Sequence, residues 1–244
     1  MPHTFRPHSS SGNGAAGGME SSAKKPLSSS GSEGSSSRYQ RITSAVSARS
    51  YSTGPHAQAD EVLEPVKTFG SPLVVGLQPM PFSVLQSAFD ELNPAGLQQY
   101  WRADFFNDIS DAAIEVHVEY GKQLPTGLSA MHLHPIDGAA SRVPGDATAF
   151  AYRDGGWAGV IIGIDPDPAN AGLISQWARD YGQALHPTSA GGGYVNFLMN
   201  EGPDRIQAAY RGNYGRLTQI KHRYDPDNTF HINQNIQPSS GPAQ

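Results

Sequence analysis

Residues 148–164 read TAFAYRDGGWAGVIIGI, two apolar runs on either side of Asp154-Gly155-Gly156. Turn residues between β-branched and aromatic runs spell strand, turn, strand, so this stretch predicts strands over 148–153 and 157–164. Upstream, Met131, Leu133 and Pro135 alternate with His132, His134 and Asp137. Period two predicts a strand over 129–136 with one polar face. A further strand is expected over 102–109 around Phe105-Phe106, and a short buried one at Leu73-Val74-Val75-Gly76-Leu77 between prolines. Ser83 is a candidate cap for a helix through Leu92, with Val84, Leu85, Ala88, Phe89 and Leu92 at helical spacing. Ser110 would cap the next helix, with Asp111 at the positive end of its dipole and Ile114, Val118 and Gly121 on one stripe.

Downstream, residues 171–185 place Leu173, Ile174, Trp177, Tyr181 and Leu185 on a core-facing stripe. Gly191-Gly192-Gly193 leads into an expected strand over 194–199, with Tyr194 and Asn196 on one face and Val195 and Phe197 on the other. Residues 205–224 are helical in pattern, with a break at Gly212 and a stop before Asp225-Pro226. Strands joined by turns, followed by helices, indicate an α+β fold: an antiparallel sheet covered by helices on one side.

That fold starts only near residue 59. Residues 1–58 are rich in Ser and Gly, hold few large apolar side chains, and carry six Lys/Arg against two Asp/Glu. Such a composition buries too little to offset ordering entropy, which predicts a disordered tail. Its basic, acid-poor character is also that of a transit peptide or of a mis-assigned gene start, although Pro2, Pro7 and Pro26 oppose an amphipathic helix. Residues 59–244 carry eleven Lys/Arg against twenty Asp/Glu, so the body has a charge of −9 against +4 for the tail. A body of that sign repels phosphate backbones, which argues against a nucleic-acid partner. A mean hydropathy of −0.45 and the lack of a long apolar run argue against a membrane span and favour a cytoplasmic protein. The absence of cysteine excludes disulfides, thiolate metal ligands and a cysteine nucleophile.

Several motifs fail on mechanism. A phosphate cradle needs a helix directly after its glycines, whereas a strand pattern follows Gly193, so the glycines read as a turn or a close backbone approach to a flat ligand. His132 and His134 share a strand face, but a metal would need a third ligand such as His117 or Asp137, and no HExxH spacing supports one; no metal is expected. No GxSxG elbow accompanies Ser129 or Ser189. The Asp-Pro runs at 165–170 and 225–228 lack the twelve-residue calcium pattern and read as turns. Closer to a site are the amides clustered at Asn233-Gln234-Asn235, which offer donors and acceptors to a planar heterocycle.

The series GGGYVNF (191–197), NYGRL (213–217), IKHRYDPDNTF (220–230) and HINQNIQP (231–238), with PMPFSVLQSAFDELNPAGLQQYWRADFF (79–106) and SRVPGDATAFAYRDGGW (141–157) upstream, resembles the berberine-bridge-enzyme-like FAD-linked oxidases. The resemblance runs from about Val62 to Pro238. It implies a substrate domain over 59–200, an antiparallel sheet that covers the isoalloxazine, and a berberine-like segment over 201–244, with the FAD-binding domain outside this chain. It implies FAD as cofactor, a small-molecule substrate, and a separate FAD-binding polypeptide as partner. The implied reaction is hydride transfer from substrate to flavin. Residue by residue, Tyr194 resembles the family's active-site tyrosine of the YxN(Y/F/H) motif, while Asn196, Asn233 and Asn235 resemble residues lying near the flavin. Phe197 stands where some members place a proton-transferring tyrosine or histidine, and Gly159 stands near the position of a glutamate base in plant members. His134 falls near a substrate-facing tyrosine and is the remaining candidate base. The alternative is a non-catalytic remnant, or a small-molecule-binding module of the same fold.

Overall fold

Val160, Ile161 and Ile162 are β-branched, flat-packing residues, and they form the middle of the central strand of a three-stranded antiparallel sheet. In the computed structural model, which describes residues 54–88, 90 and 93–241, the strands are β1 (Gln98–Phe106), β2 (Ala130–Pro135) and β3 (Trp157–Asp165), in the spatial order β1-β3-β2. The described residues all fall in one compact unit, Tyr39–Gln244. The helices are α1 (Ala59–Lys67), α2 (Phe82–Ser87), α3 (Asp111–Gly121), α4 (Gly138–Ser141), α5 (Ala171–Leu185), α6 (Pro203–Tyr210) and α7 (Tyr214–Tyr224). The α+β class is as expected; the expected tail over 1–58 lies, but for residues 54–58, outside the described residues, as do Phe89 and Leu92.

Register assigns the two faces. Ala103 of β1 and His132 of β2 both pair with Val160, and Phe105 and His134 both pair with Ala158. Because successive residues alternate sides, Trp101, Ala103, Phe105, His132, His134, Ala158, Val160 and Ile162 share one face. Phe106, Met131, Leu133 and Ile161 occupy the other, where they pack with Ala113 of α3 and with Trp177, Ala178, Tyr181 and Leu185 of α5. Fully burying one such large side chain is worth about 2 kcal/mol. Gly163 permits the close approach of α5: a Cβ there would stand 2.5 Å from the Ile174 carbonyl oxygen.

Local chemistry accounts for the helix ends. Ser110 caps α3 as expected, its hydroxyl accepting from the Ala113 amide at 3.3 Å. The break expected at Gly212 occurs at Arg211, whose φ of 47° interrupts the helix between α6 and α7. α2 is shorter than expected and starts after Pro81, so Ser83 lies inside its first turn.

Four expectations are corrected. Residues 148–153 form no strand; the Gly155-Gly156 turn, with φ of 91° and 98°, instead turns an irregular segment into β3, whose two edges are already occupied by β1 and β2. Leu73 to Leu77 is neither a strand nor buried, since no described strand pairs with it. On α3 the Ile114–Val118 stripe faces solvent, because Ala113, Val116 and Tyr120 take the core side. Leu173 of α5 is likewise exposed, next to the buried Ile174. Among the described residues no helix is long and apolar enough to cross a membrane.

Candidate functional site

The side of the sheet away from α3 and α5 is covered by Phe150 and Tyr152 over Phe105 and by the chain that follows the three glycines. This segment does not continue as the expected strand. The Ala190 amide donates to the Phe105 carbonyl at 2.7 Å, and the Phe105 amide donates to the Gly192 carbonyl at 2.6 Å, along the outer edge of β1. Gly192 and Gly193 are close approaches: a Cβ on the first would collide with the Tyr152 hydroxyl and the Ala208 carbonyl, and one on the second with the Ala103 carbonyl. The glycines therefore serve β1 and not a phosphate.

Immediately afterwards the chain turns. Phe197 donates its amide to the Tyr194 carbonyl at 2.8 Å, closing a single 3-10 turn over Val195–Phe197. In such a turn residues i and i+3 eclipse, so Tyr194 and Phe197 face the same way, with rings edge to face and centroids 5.0 Å apart. This overturns the expected alternation, in which they lay on opposite faces. Tyr194 and Asn196 do meet: the Asn196 amide donates to the Tyr194 hydroxyl oxygen at 2.9 Å.

Phe197 is the hub of the site. Its ring lies 5.9 Å from Trp101 and 5.7 Å from His134, and it covers Val160, Ile162 and Ile164 of β3. Phe150 adds an edge to Tyr194 at 6.0 Å. His134 projects from β2, exposed, with His132 two residues back and its ring 5.9 Å away. Tyr194 and His134 thus both touch Phe197, which stands between them in the chain of ring contacts. Trp101 precedes the strand expected from Arg102; β1 begins at Gln98, and the same period two puts Trp101 on the face of Ala103 and Phe105.

Of the three clustered C-terminal amides, Gln234 is the one that reaches this segment. Gln234 donates to the Leu198 carbonyl at 2.6 Å and to that of Met199 at 3.2 Å, pinning the tail directly beyond the turn. Asn233, with φ of 62°, and Asn235 flank it, and Asn235 folds its amide back on the Asn233 carbonyl at 2.9 Å. Asn233 is exposed, whereas the Asn235 side-chain oxygen is buried and has no hydrogen-bond donor. Asp225 holds the approach to this tail. Its carboxylate accepts from the Thr229 amide at 2.7 Å, from the Phe230 amide at 3.0 Å, and from Lys221. Lys221 first, and then the two amides, hold its carboxyl down at about 2 against the opposing cost of burial.

A buried ion network clamps the segment to β1. Arg205 of α6 pairs with Asp104 at 2.8 Å and Glu201 at 3.1 Å, and donates to the Ala103 and Gly191 carbonyls. Arg102 joins Glu201 at 2.9 Å, and His186 joins Asp104 at 3.1 Å. Burial pushes the Glu201 carboxyl up, and Arg102 and Arg205 pull it back. None of these groups faces the aromatic cluster, so their role is to hold the turn.

The remaining candidates separate. His117 lies on α3 beneath the opposite face, sharing a 2.6 Å hydrogen bond with the buried Tyr181, and burial pushes its pKa down. It cannot join His132 and His134, and among the described residues no group of three His, Asp or Glu could hold a metal. Gly159 also points toward the helices, where a Cβ would meet the Phe106 ring at 2.7 Å. The position facing the site is Ala158 or Val160, neither of which moves a proton.

Residues 193–237, which contain the turn, α6, α7 and the tail amides, match the family model described as berberine and berberine like. An FAD-linked oxidoreductase of Dictyostelium discoideum is 30% identical over 187 residues, covering 76% of this chain and 41% of that protein. Berberine bridge enzyme-like 17 of Arabidopsis thaliana is 28% identical over 131 residues, 45% of this chain and 24% of that one. The chain carries a berberine-like segment over residues 193–237. A solved glycopeptide hexose oxidase, complexed with teicoplanin, shares the fold with a TM-score of 0.53 at 23% identity, over 57% of this chain and 32% of that one. The chain therefore spans about two fifths of the length of its Dictyostelium relative.

The Dictyostelium relative is FAD-linked, and the chain can be tested for fit to that group. The buried Asn235 oxygen without a donor and the exposed Asn196 and Asn233 amides suit the N–H and C=O edge of a flavin ring. The three glycines lead into a one-turn 3-10 helix packed on β1, which offers nothing to a pyrophosphate. The described residues fit the ring end of FAD and not its adenosine end.

Proposed function

We propose that this chain forms the substrate-side wall and the ring-contacting tail of an FAD-dependent oxidoreductase acting on a small organic molecule, with the FAD-binding portion supplied by sequence it does not span. The supporting observation is the aromatic hub at Phe197, with the Tyr194–Asn196 hydrogen bond on one side and His134 on the other. A bound FAD would act as the two-electron acceptor.

The chain's own residues then divide the remaining work. Trp101, Phe150 and Phe197 supply an apolar surface that excludes water from one side of a substrate. Asn196 donates to the Tyr194 oxygen, leaving the phenol hydrogen free to orient a substrate oxygen. For an alcohol substrate, loss of a hydride from carbon leaves the hydroxyl proton to be removed as the C=O bond forms. His134, whose ring lies against Phe197, is the imidazole assigned to accept that proton. Phe197 cannot transfer a proton, and the tail amides Asn233 and Asn235 are assigned to the flavin edge.

The test combines this chain with an FAD-loaded FAD-binding portion of its Dictyostelium relative and follows flavin bleaching and hydrogen peroxide on addition of alcohol and sugar panels. His134→Gln is expected to lower turnover about 100-fold or more, the usual loss for a general base. Undiminished turnover in that variant would remove His134 from the mechanism. A ligand-binding module without catalysis, which the proton-inert Phe197 favours, predicts substrate-induced changes in Trp101 fluorescence with no peroxide from any partner combination.

A further inference from the structure

From Thr68 through Ala88 the sequence contains no Asp, Glu, Lys or Arg. This is also where the fold leaves apolar side chains bare. Leu73 is 100% exposed, Val74 88%, Phe69 84% and Phe82 74%, with Val75, Leu77, Met80 and Val84 also in solvent. Among the described residues the backbone over 69–80 makes no hydrogen bond, and no strand or helix packs over it. Soluble proteins rarely leave such a contiguous apolar surface open unless something covers it, and depletion of charge is the compositional mark of an interface centre. Pro72, Pro79 and Pro81 stiffen the segment, which lowers the entropy lost when it docks.

We propose that residues 69–84 form the docking strap for the FAD-binding portion of the oxidoreductase; this rests on the functional reading above. The choice of occupant follows from the lengths involved. The match to the Dictyostelium relative covers 76% of this chain, and any stretch of that length includes residues 69–84. The strap is therefore shared with a protein of which only 41% lies within the match. The portion outside the match is what such a relative carries beyond the span of this chain to lay over an uncharged extended segment. An apolar surface on that portion would cover the bare side chains, and a free strand edge on it would pair with the backbone of 69–80.

The experiment mixes the full chain with the FAD-loaded portion of the Dictyostelium relative lying outside the match, and repeats the comparison with the two joined by a flexible linker so that a weak complex is still detected. Hydrogen exchange of peptides spanning 69–84 is compared with that of the chain alone. Slowed exchange on the strap is expected, together with at least a tenfold loss of affinity in the Leu73→Asp, Val74→Asp double variant. Both side chains stand in solvent, so the variant's melting temperature should equal that of the parent. No complex in either format, a complex that leaves the strap unprotected, or one indifferent to the double variant would each overturn the proposal. So would concentration-dependent protection in the chain alone, which would make a second copy the occupant. Turnover is read in the same samples: strap protection without turnover supports docking and counts against the catalytic reading, whereas turnover with an unprotected strap does the reverse.

Discussion

At Gly191, Gly192 and Gly193 three neighbouring glycines are needed for different reasons. Gly191 has φ of +90° in open space, so alanine there is strained by the backbone alone, at about 1–2 kcal/mol. Gly193 has ordinary dihedrals but no room, because a Cβ would press on the Ala103 carbonyl of β1 and lie 2.9 Å from a Leu198 methyl. Gly193→Ala should therefore cost about 2–3 kcal/mol and displace the Tyr194 turn with it. Urea midpoints of the two variants check the order; equal costs would show that crowding is not what Gly193 relieves. Asp225 acts through charge. With its carboxyl at about 2 in the fold and 3.8 ordinarily, its contribution is complete above pH 3.8 and disappears as pH falls toward 2. The Thr229 and Phe230 amides should lose exchange protection in that window, while Asp225→Asn should show no such pH step.

At the scale of elements, the sheet's period-two patterns translated well and the irregular cover did not. Met131 and Leu133 against His132 and His134 gave β2 its two faces before any neighbour was known, because alternation is a property of one strand. Tyr194 to Met199 alternates just as well, yet it folds as a 3-10 turn, because β1 already has its outer edge bonded by Ala190 and Gly192. That edge bonding is secured by Arg205, which reaches Asp104, Glu201 and two carbonyls at once. Arg205→Leu would leave two buried carboxylates facing each other and should destabilise the chain by about 3 kcal/mol or more. Denaturation of the variant, followed by the combined emission of Trp101, Trp157 and Trp177, tests this; a loss below about 1 kcal/mol would mean that the clamp is dispensable. The clamp was invisible in the sequence because its members are scattered from Arg102 to Arg205.

For the whole molecule, the proposed function gives the chain the ring end of a flavin site, and the fold exposes an uncharged strap. A ligand stabilises a fold in proportion to RT ln(1 + [L]/Kd). FAD added alone at about 100 μM should therefore move the melting temperature by less than about 1 °C, since nothing among the described residues grips its phosphates. With the FAD-binding portion present, the transition should rise by several degrees. A rise with FAD alone would show that the chain holds the whole cofactor itself.

Periodicity, turn residues and caps are local, and they were enough to determine an α+β chain with β2, β3, α3, α5 and the α6–α7 break close to where they occur. The stretches GGGYVNF, NYGRL, IKHRYDPDNTF and HINQNIQP carried the resemblance to the berberine-bridge-enzyme-like oxidases. The tertiary structure alone decided that Tyr194 and Phe197 share a side, that Gly159 turns away from the site, that Gln234 brings the terminal amides to it, and that Leu73 to Leu77 lies bare. Each of these depends on which edges and faces are already occupied by distant segments, and no local pattern encodes that.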